Sequence, residues 1–260
     1  MRGELEVCAL SSGSSGNCFY IGNGKGGVLI DAGISAKQIC IRMIERGLNP
    51  EKVKGIFVTH EHIDHVRGAD VFARNFNIPV FATKGTAKSC FLCGESNQIK
   101  IIRNTEEVVL VGMLIEAFGK VHDALEPVSY TVSSGKKRVS VITDLGHACK
   151  SVQEQVSDAD FLFLESNHDE QMLKDGGYPY HLKKLILSDE GHLSNRQAGL
   201  CVLEHASRRL QRVVLSHLSE NNNTTQIAMK TFLKLVKERS DFNFETSLSL
   251  RDEATEVWKI

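Results

Sequence analysis

Residues 59–65 read Thr-His-Glu-His-Ile-Asp-His and directly follow the apolar run Ile56-Phe57-Val58. Three histidines and one aspartate therefore fall within six positions, at the end of a predicted strand. In open α/β sheets, ligands bind beyond the carboxyl ends of the strands. Imidazole nitrogens and carboxylate oxygens are common protein ligands of divalent metals. We therefore interpret residues 59–65 as a metal-binding segment. Capping of the next helix by a polar loop is the simpler alternative, and the density of ligand-type side chains disfavours it.

The spacing within this segment predicts two neighbouring metal sites. His60 and His62 are two positions apart, so in an extended loop both side chains point the same way and can bind one cation. Asp64 and His65 lie at the turn into a predicted helix and would face a second cation. A catalytic site of this kind leaves one coordination position open for water. Because four side chains cannot complete two such sites, we expect further ligands downstream.

Candidate ligands are present later in the chain. Each of them follows a predicted apolar strand, and they are His122, Asp144 and His217. Any one of them alone would more often be a turn residue or a helix cap. Their shared position after strands predicts that they complete the metal sites.

Composition limits the classes of protein to which the chain can belong. Its 260 residues are 42% hydrophobic and 24% charged, which is typical of a globular protein, and we predict one domain over residues 1–260. No apolar run is long enough to cross a bilayer and no export signal is recognisable, so we predict a cytoplasmic protein with no membrane partner. The net charge of -1 excludes a global basic field, so a polyanion would have to be bound locally.

The cysteines give no sign of a disulfide framework. Seven cysteines are scattered along the chain, and we predict that they are reduced. Cys90 and Cys93 form a Cys-x-x-Cys pair, but neither a second pair nor nearby histidines complete a zinc site. We interpret these two residues as packing residues, and the sequence assigns them no other role.

The predicted elements indicate a mixed α/β architecture. Strands dominate the first half, and strands alternate with helices in the second half, before a closing pair of strands at 242–248 and 256–260. The predicted helices cover 36–46, 64–77, 86–93, 149–156, 179–188, 195–207 and 226–238. Mixed sheets with helices on the outside fit this order best.

The ordered set of motifs resembles the metallo-β-lactamase superfamily over nearly the whole chain. The resemblance is carried by the strand end Leu29-Ile-Asp-Ala-Gly33, by residues 59–65 and by the three later ligands. It implies an α/β fold, a four-layer αββα sandwich with a two-metal site at one edge of the paired sheets. By position, it implies a first metal on His60, His62 and His122, a second metal on Asp64, His65 and His217, and Asp144 as the bridging ligand.

The implied chemistry is hydrolysis by a hydroxide that bridges two divalent cations. Some oxygen- and nitric-oxide-reducing relatives have a glutamate where this chain has His62, so the histidine favours hydrolysis over redox chemistry. Asp64 would both bind a cation and orient the nucleophile through its second oxygen. The donor set suits zinc and also accepts manganese or iron, so the sequence leaves the two metals unidentified.

Two stretches late in the chain resemble motifs of the phosphodiesterase branch of the superfamily. Phe163-Leu-Glu-Ser-Asn places Glu165 after an apolar strand, and Gly191-His-Leu-Ser places His192 before a helix that Ser194 can cap. The resemblance implies that His192 contacts the scissile phosphate and donates a proton, and that Glu165 orients it. A helix cap with a solvent-facing His192 is the alternative. The role of His168 stays open.

Within that branch, the chain is most similar to the YycJ/WalJ group. The ligand spacing leaves no room for the large inserted domain of the β-CASP nucleases or for the protruding arm of ribonuclease Z. The stretches at 11–17, 122–127 and 191–195 carry the similarity, which implies 5′-to-3′ exonuclease action on DNA. Backbone N–H groups of residues 11–17 could contact a phosphate, with Asn17 as the candidate side chain. A nucleic acid is the expected partner, and no obligate protein partner is inferred.

Other functions stay open at this point. Thioester hydrolysis, as in glyoxalase II-like relatives, uses the same metal ligands without Glu165 and His192. A non-catalytic metal-binding module is disfavoured because every ligand is present. The sequence does not decide between DNA and RNA, between terminal and internal cleavage, or between oligomeric states. Short basic clusters at 136–138 and 208–212 could follow a nucleic-acid backbone, but such clusters are more often solvated faces.

Overall fold

The computed structural model describes residues 4–89, 98–241 and 243–260. The strands are β1 (Glu6–Ser11), β2 (Cys18–Asn23), β3 (Gly26–Ile30), β4 (Val53–Phe57), β5 (Val80–Thr83), β6 (Ile99–Ile102), β7 (Glu107–Leu110), β8 (Met113–Gly119), β9 (Val128–Ser134), β10 (Lys137–Ile142), β11 (Phe161–Glu165), β12 (Arg212–Ser216), β13 (Glu245–Leu248) and β14 (Trp258–Lys259). The helices are α1 (Ala36–Glu45), α2 (Ile63–Val66), α3 (Ala69–Phe76), α4 (Lys84–Ser89), α5 (Lys150–Asp158), α6 (Glu170–Asp175), α7 (Tyr180–Ile186), α8 (Asn195–His205) and α9 (Thr225–Val236). Cys90 and Cys93 lie outside the described residues, so their predicted packing role stays a prediction.

The described residues separate into two compact units, each formed from segments that are not contiguous in sequence. The first unit contains the described residues as far as Gly119, together with Ala124–Arg138 and Leu250–Ile260. The second unit contains Lys120–Asp123 and Val139–Ser249. The single domain predicted over residues 1–260 stays a prediction.

The first unit contains a mixed sheet with the strand order β14-β1-β2-β3-β4-β5-β6. Strand β14 and strands β1 to β3 pair in antiparallel fashion, and the pairing from β3 to β6 is parallel. Because neighbouring parallel strands end at the same edge, the segments that follow β3 and β4 leave the sheet side by side. In the same unit, β7, β8 and β9 form an antiparallel ladder.

Two amphipathic helices cover this sheet. Ile39 and Met43 of α1 and Phe72 of α3 belong to one apolar cluster with residues of β3 and β4. Ile39 and Met43 are four positions apart, which puts them on one face of α1. Complete burial of such a side chain stabilises the fold by about 1.5–3 kcal/mol. The run Ile56-Phe57-Val58 is completely buried, so the segment that follows it starts from a fixed position in the core.

The second unit is built on a parallel sheet. Strands β10, β11, β12 and β13 are parallel neighbours, with Ile142 opposite Leu164 and Glu165 opposite Ser216. Strand β11 is buried along its whole length, as expected for a parallel strand covered on both faces. This register brings the residues directly after β10 and β12 to the level of Glu165. It therefore explains why candidate residues far apart in sequence meet at one edge of this sheet.

The structure differs from the sequence predictions at two helices. The helix predicted over 64–77 is broken between α2 and α3, because the Gly68 N–H donates to the Ala32 carbonyl over 2.8 Å. A Cβ on Gly68 would lie 2.1 Å from the Ile34 carbonyl oxygen, so this approach requires glycine. Helix α6 was not predicted, although Asp169 is an ordinary N-cap that accepts a hydrogen bond from the Met172 N–H.

The two last strands are present but do not pair with each other. β13 pairs with β12, and β14 pairs with β1. An apolar alternation identifies a strand but not its partner, so the sequence could not assign either pairing. Across the described ranges, no helix is both long and apolar enough to cross a membrane.

Candidate metal centre

The segment 59–65 packs its histidines tightly together in the first unit. His60 and His65 are completely buried, and their ring centroids are 4.1 Å apart. Nε2 of His60 lies 3.1 Å from Nδ1 of His62. Two nitrogens bound to one tetrahedral cation are about 3.3 Å apart, given metal–nitrogen distances of about 2.0–2.1 Å. The spacing of His60 and His62 is therefore compatible with two ligands of one cation, and their role as ligands stays a prediction.

Asp31 orients His65, and the sequence assigned this residue no role of its own. Oδ2 of Asp31 lies 2.7 Å from Nδ1 of His65 and accepts a hydrogen bond from the Thr59 hydroxyl over 2.9 Å. Oδ1 accepts the Thr59 N–H over 2.8 Å. Because an ionised carboxylate only accepts, we assign the proton of His65 to Nδ1, which leaves Nε2 with the lone pair that a metal needs. Asp31 directly follows β3, and this was the signal that could have identified it.

Asn17 is completely buried and contacts two of the candidate ligands. Its Nδ2 lies 3.3 Å from Oδ2 of Asp64 and 3.2 Å from Nε2 of His65. Its Oδ1 accepts the Gly13 N–H over 3.0 Å, which fixes the orientation of the amide because an N–H only donates. The amide therefore donates toward the candidate ligands. The substrate contact predicted for Asn17 stays a prediction.

Backbone contacts lock helix α2 against the loop at residues 11–17 and the end of β3. The Asn17 N–H donates to the Asp64 carbonyl over 2.7 Å, and the Ala32 N–H donates to the His65 carbonyl over 2.8 Å. A Cβ on Gly33 would lie 1.6 Å from the Asp64 carbonyl oxygen. Only glycine allows this approach, so Gly33 helps to determine where Asp64 and His65 stand.

In the second unit, Glu165 is completely buried at the end of β11. Its Oε1 accepts hydrogen bonds from Nδ1 of His192 over 2.8 Å and from Nδ1 of His217 over 2.9 Å. Its Oε2 accepts the backbone N–H groups of Leu145 and Leu193, each over 3.0 Å. Burial alone would raise the pKa of Glu165, but the charge of His192 and the hydrogen bonds from His192 and His217 lower it to about 2. Glu165 is therefore an ionised carboxylate that orients two histidines.

His122 and His217 present the nitrogen that a metal requires. Nδ1 of His122 lies 3.2 Å from the Gly191 carbonyl oxygen, which only accepts, so we assign the proton to Nδ1. Burial lowers the pKa of His122 to about 3, although Asp144 opposes the shift. The ring is therefore neutral at physiological pH. Nε2 of His122 lies 4.0 Å and Nε2 of His217 lies 3.3 Å from Oδ1 of Asp144.

The second unit by itself contains a group that could hold a cation. Donor atoms of Asp144, Glu165, His192 and His217 all lie within 4.8 Å of one another. Glu165 already accepts hydrogen bonds from two histidines and two backbone N–H groups. We therefore interpret it as the residue that orients His192 and His217. The His192 side chain is 22% exposed, whereas that of His217 is 2% exposed, so His192 is the one that can reach solvent or substrate.

Left-handed backbone marks three of the residues that follow strands. The φ angles are 59° at Asp31, 57° at Asp144 and 55° at His217. This conformation is uncommon for residues other than glycine, and such strain tends to be retained at functional sites. The sharp turn that it produces directs each side chain away from its strand. The same left-handed backbone conformation after a strand therefore occurs in both units.

The helix-cap alternative for residues 192–195 proves to be compatible with the site. The Ser194 hydroxyl accepts the Gln197 N–H over 3.2 Å, and Oε1 of Gln197 accepts the Ser194 N–H over 2.8 Å. This capping box fixes the start of α8. Because Leu193 donates to Glu165 one residue earlier, the cap and the contact between His192 and Glu165 support each other.

The remaining histidines divide into two kinds. His168 is buried and neither of its ring nitrogens has a hydrogen-bond partner. Burial lowers the pKa of His168 to about 4. The other three lie outside the candidate site: His147 lies 3.2 Å from the Asp189 carbonyl oxygen, His181 is exposed, and His205 ends α8.

Comparisons with known proteins agree with this geometry. A family model described as the Metallo-beta-lactamase superfamily matches residues 12–164. Exodeoxyribonuclease YycJ of Bacillus anthracis is 34% identical over 238 residues, which cover 90% of this chain and 90% of that protein. Exodeoxyribonuclease WalJ of Streptococcus pneumoniae serotype 2 is 34% identical over 259 residues, which cover 95% of this chain and 96% of that protein.

A solved structure supports the fold. The metallo-beta-lactamase fold protein YhfI from Bacillus subtilis matches with a TM-score of 0.73 at 15% sequence identity, over 99% of this chain and 100% of that chain. At this identity the likeness concerns the fold alone. It confirms the α/β fold class that was predicted from the sequence.

Proposed function

The chain belongs to the metallo-β-lactamase superfamily, and from this premise we propose that it is a metal-dependent phosphodiesterase that degrades DNA from the 5′ end. The hydrogen bond between Glu165 and His192 carries the proposal. Thioester hydrolysis does not need a second, carboxylate-oriented histidine beside the metal ligands. Phosphodiester cleavage does need a proton donor for its alkoxide leaving group. The two exodeoxyribonuclease relatives support DNA as the substrate.

We propose that the chain binds two divalent cations. The first would be held by His60, His62 and His122, the second by Asp64, His65 and His217, with Asp144 shared between them. The lone-pair nitrogens assigned to His65, His122 and His217 support this choice, because each of these rings directs Nδ1 to an oxygen acceptor. When bound, the cations supply an activated water and neutralise charge on the phosphate. Zinc and manganese both suit these donors, and iron is also compatible.

The protein groups then have separate tasks in the proposed reaction. Asp64 orients the attacking water through one carboxylate oxygen, and the Asn17 amide beside Oδ2 restricts the rotation of that carboxylate. His192 contacts the scissile phosphate and donates a proton to the leaving oxygen. Glu165 keeps the His192 ring in position through their hydrogen bond, and the carboxylate stays ionised because the pKa of Glu165 is held at about 2.

We also propose that the enzyme acts in the cytoplasm, without an obligate protein partner. The described cysteines are free thiols: Cys8, Cys18, Cys40, Cys149 and Cys201. Burial raises the pKa of Cys8 to about 11 and that of Cys201 to about 12, so these two thiols are unreactive. Free thiols together with a DNA substrate fit a reducing compartment.

The test compares three substrates with one preparation of the enzyme. Bis-p-nitrophenyl phosphate, 5′-phosphorylated DNA and a thioester are each assayed with added Mn²⁺ or Zn²⁺, and an RNA of the same sequence serves as the control. We expect cleavage of the first two substrates and stepwise release of nucleotides from the 5′ end of DNA. Thioester turnover without phosphodiester cleavage would contradict the proposal.

A further inference from the structure

Helix α7 presents exposed side chains that the proposed chemistry does not use. Tyr180, the first residue of the helix, is 82% exposed. Lys184 lies one helical turn further on the same face and is also exposed. The helix sequence Tyr-His-Leu-Lys-Lys-Leu-Ile contains no acidic residue. An aromatic ring and a lysine therefore stand side by side on an open surface.

This helix is attached directly to the loop that carries His192. The His192 N–H donates to the Ile186 carbonyl over 3.1 Å, and the Gly191 N–H donates to the Ser188 carbonyl over 3.0 Å. A Cβ on Gly191 would lie 2.2 Å from the Ile186 carbonyl oxygen, so the close approach depends on glycine. Tyr180 precedes Ile186 by six residues, or about 9 Å along the helix axis. The exposed ring is thus held a short distance from the proposed phosphate site.

The lysines of α7 differ from the basic clusters noted in the sequence. Each arginine in those clusters forms an ion pair: Arg138 with Glu116, Arg208 with Asp241, Arg209 with Asp158 and Asp160, and Arg212 with Glu245. Within the described ranges, Lys183 and Lys184 form no ion pair, and Nζ of Lys183 donates to the Lys174 carbonyl. The exposed acidic residues Asp189 and Glu190 come only after the end of α7, so the helix itself carries basic side chains without acidic ones.

We propose that α7 binds the single-stranded part of the DNA substrate, with Tyr180 stacking on an unpaired base and Lys184 contacting the backbone phosphates. This inference rests on the proposed function. Aromatic stacking combined with basic side chains binds single strands without sequence preference. Tyr180 lies about 9 Å along the helix axis from Ile186, and the Ile186 carbonyl accepts the His192 N–H, so one continuous strand of a few nucleotides can extend from the His192 loop to Tyr180.

The experiment measures kcat and KM of the full chain on a 5′-phosphorylated single-stranded DNA oligonucleotide and on bis-p-nitrophenyl phosphate. We expect Tyr180→Ala to raise the KM for DNA about fivefold or more, and to leave the small substrate unchanged. Tyr180→Phe keeps a stacking ring and should restore the wild-type KM. Lys184→Gln should reduce the salt dependence of DNA binding by about one counterion. The matched control is Lys150→Gln in α5, where the lysine side chain is 89% exposed.

Each result of this experiment supports or overturns the proposed role of α7. Wild-type KM for DNA in Tyr180→Ala would overturn the role of α7 and leave the proposed function intact. Loss of activity on bis-p-nitrophenyl phosphate in Tyr180→Ala would mean that the helix only positions His192, and would also overturn the role. A wild-type enzyme that cleaves bis-p-nitrophenyl phosphate but no DNA would overturn both the proposed function and this inference.

Discussion

Nδ1 of His192 lies 2.8 Å from Oε1 of Glu165, in a site where the carboxylate is completely buried. The same oxygen accepts a hydrogen bond from His217, so one carboxylate orients both the proposed proton donor and a proposed metal ligand. Its other oxygen binds the backbone N–H groups of Leu145 and Leu193. The carboxylate of Glu165 therefore holds both the segment after β10 and the segment before α8 in place through hydrogen bonds.

Replacing the proposed proton donor should separate phosphodiester cleavage from metal binding. We expect His192→Ala to lower kcat on bis-p-nitrophenyl phosphate by about 10²–10⁴-fold, because general acid catalysis contributes about this much. The metal content should not change, since His192 is not a proposed ligand. Steady-state kinetics and elemental analysis of the same sample measure the two effects. Unchanged phosphodiester cleavage would remove the assignment, and His181→Ala, at an exposed position, is the control.

Removing the carboxylate charge beside His65 should weaken the second metal site. We expect Asp31→Asn to reduce metal affinity by about 10–100-fold, because outer carboxylates fix the tautomer and orientation of a ligating histidine. Asparagine tolerates the left-handed backbone that Asp31 adopts, so the effect can be attributed to the lost charge. Competition with a chromogenic chelator measures the affinity. Asp70→Asn removes a half-buried carboxylate that pairs with Arg74, and it should leave the affinity unchanged.

The close approach at Gly33 should make this position intolerant of a side chain. We expect Gly33→Ala to destabilise the protein by about 3 kcal/mol or more, because the new Cβ would lie 1.6 Å from a backbone oxygen and the backbone must move. Gly24→Ala is the matched control, since nothing lies within 4 Å of a Cβ there. Thermal unfolding measures both variants. Similar melting temperatures for the two would show that α2 does not depend on this contact.

The sequence predicted the elements of the fold well where apolar periodicity was strong. The run before Thr59 and the buried strand before Glu165 are examples, because a buried strand must be apolar at nearly every position. The break between α2 and α3 could not be predicted, because it depends on a carbonyl of residue 32 that is distant in sequence from Gly68. The partners of β13 and β14 were missed for the same reason.

The candidate site shows a similar division. The candidate ligands could be proposed from the sequence because histidine and aspartate after a strand are a local signal that spacing makes specific. Asp31 carries the same signal, but an isolated aspartate after a strand is more often a turn residue, so the sequence alone could not single it out. The burial of Asn17 against Asp64 and His65 was not predictable, because polar glycine-rich loops are usually exposed.

His168 should make the metal-free protein sensitive to acid. Burial lowers the pKa of His168 to about 4 from its ordinary value of 6.5. Below pH 6.5 the unfolded chain therefore binds a proton at this position that the folded chain does not bind. The contribution of His168 to the free energy of unfolding is therefore complete above about pH 6.5 and is lost as the pH decreases toward 4. The slope for one proton is about 1.4 kcal/mol per pH unit.

Replacing His168 with an apolar side chain should remove that contribution. We expect His168→Phe to flatten the fall in unfolding free energy between pH 6 and pH 5 by about 1.2 kcal/mol, as measured by urea titrations in the presence of a chelator. His122 contributes with the same sign, because burial lowers its pKa to about 3. The variant therefore keeps a residual decrease of the unfolding free energy with decreasing pH. His181→Gln replaces an exposed histidine and should follow the wild-type curve. If His168→Phe also followed the wild-type curve, His168 would have to gain a proton or a partner in the folded protein, and its burial without hydrogen bonds would be wrong.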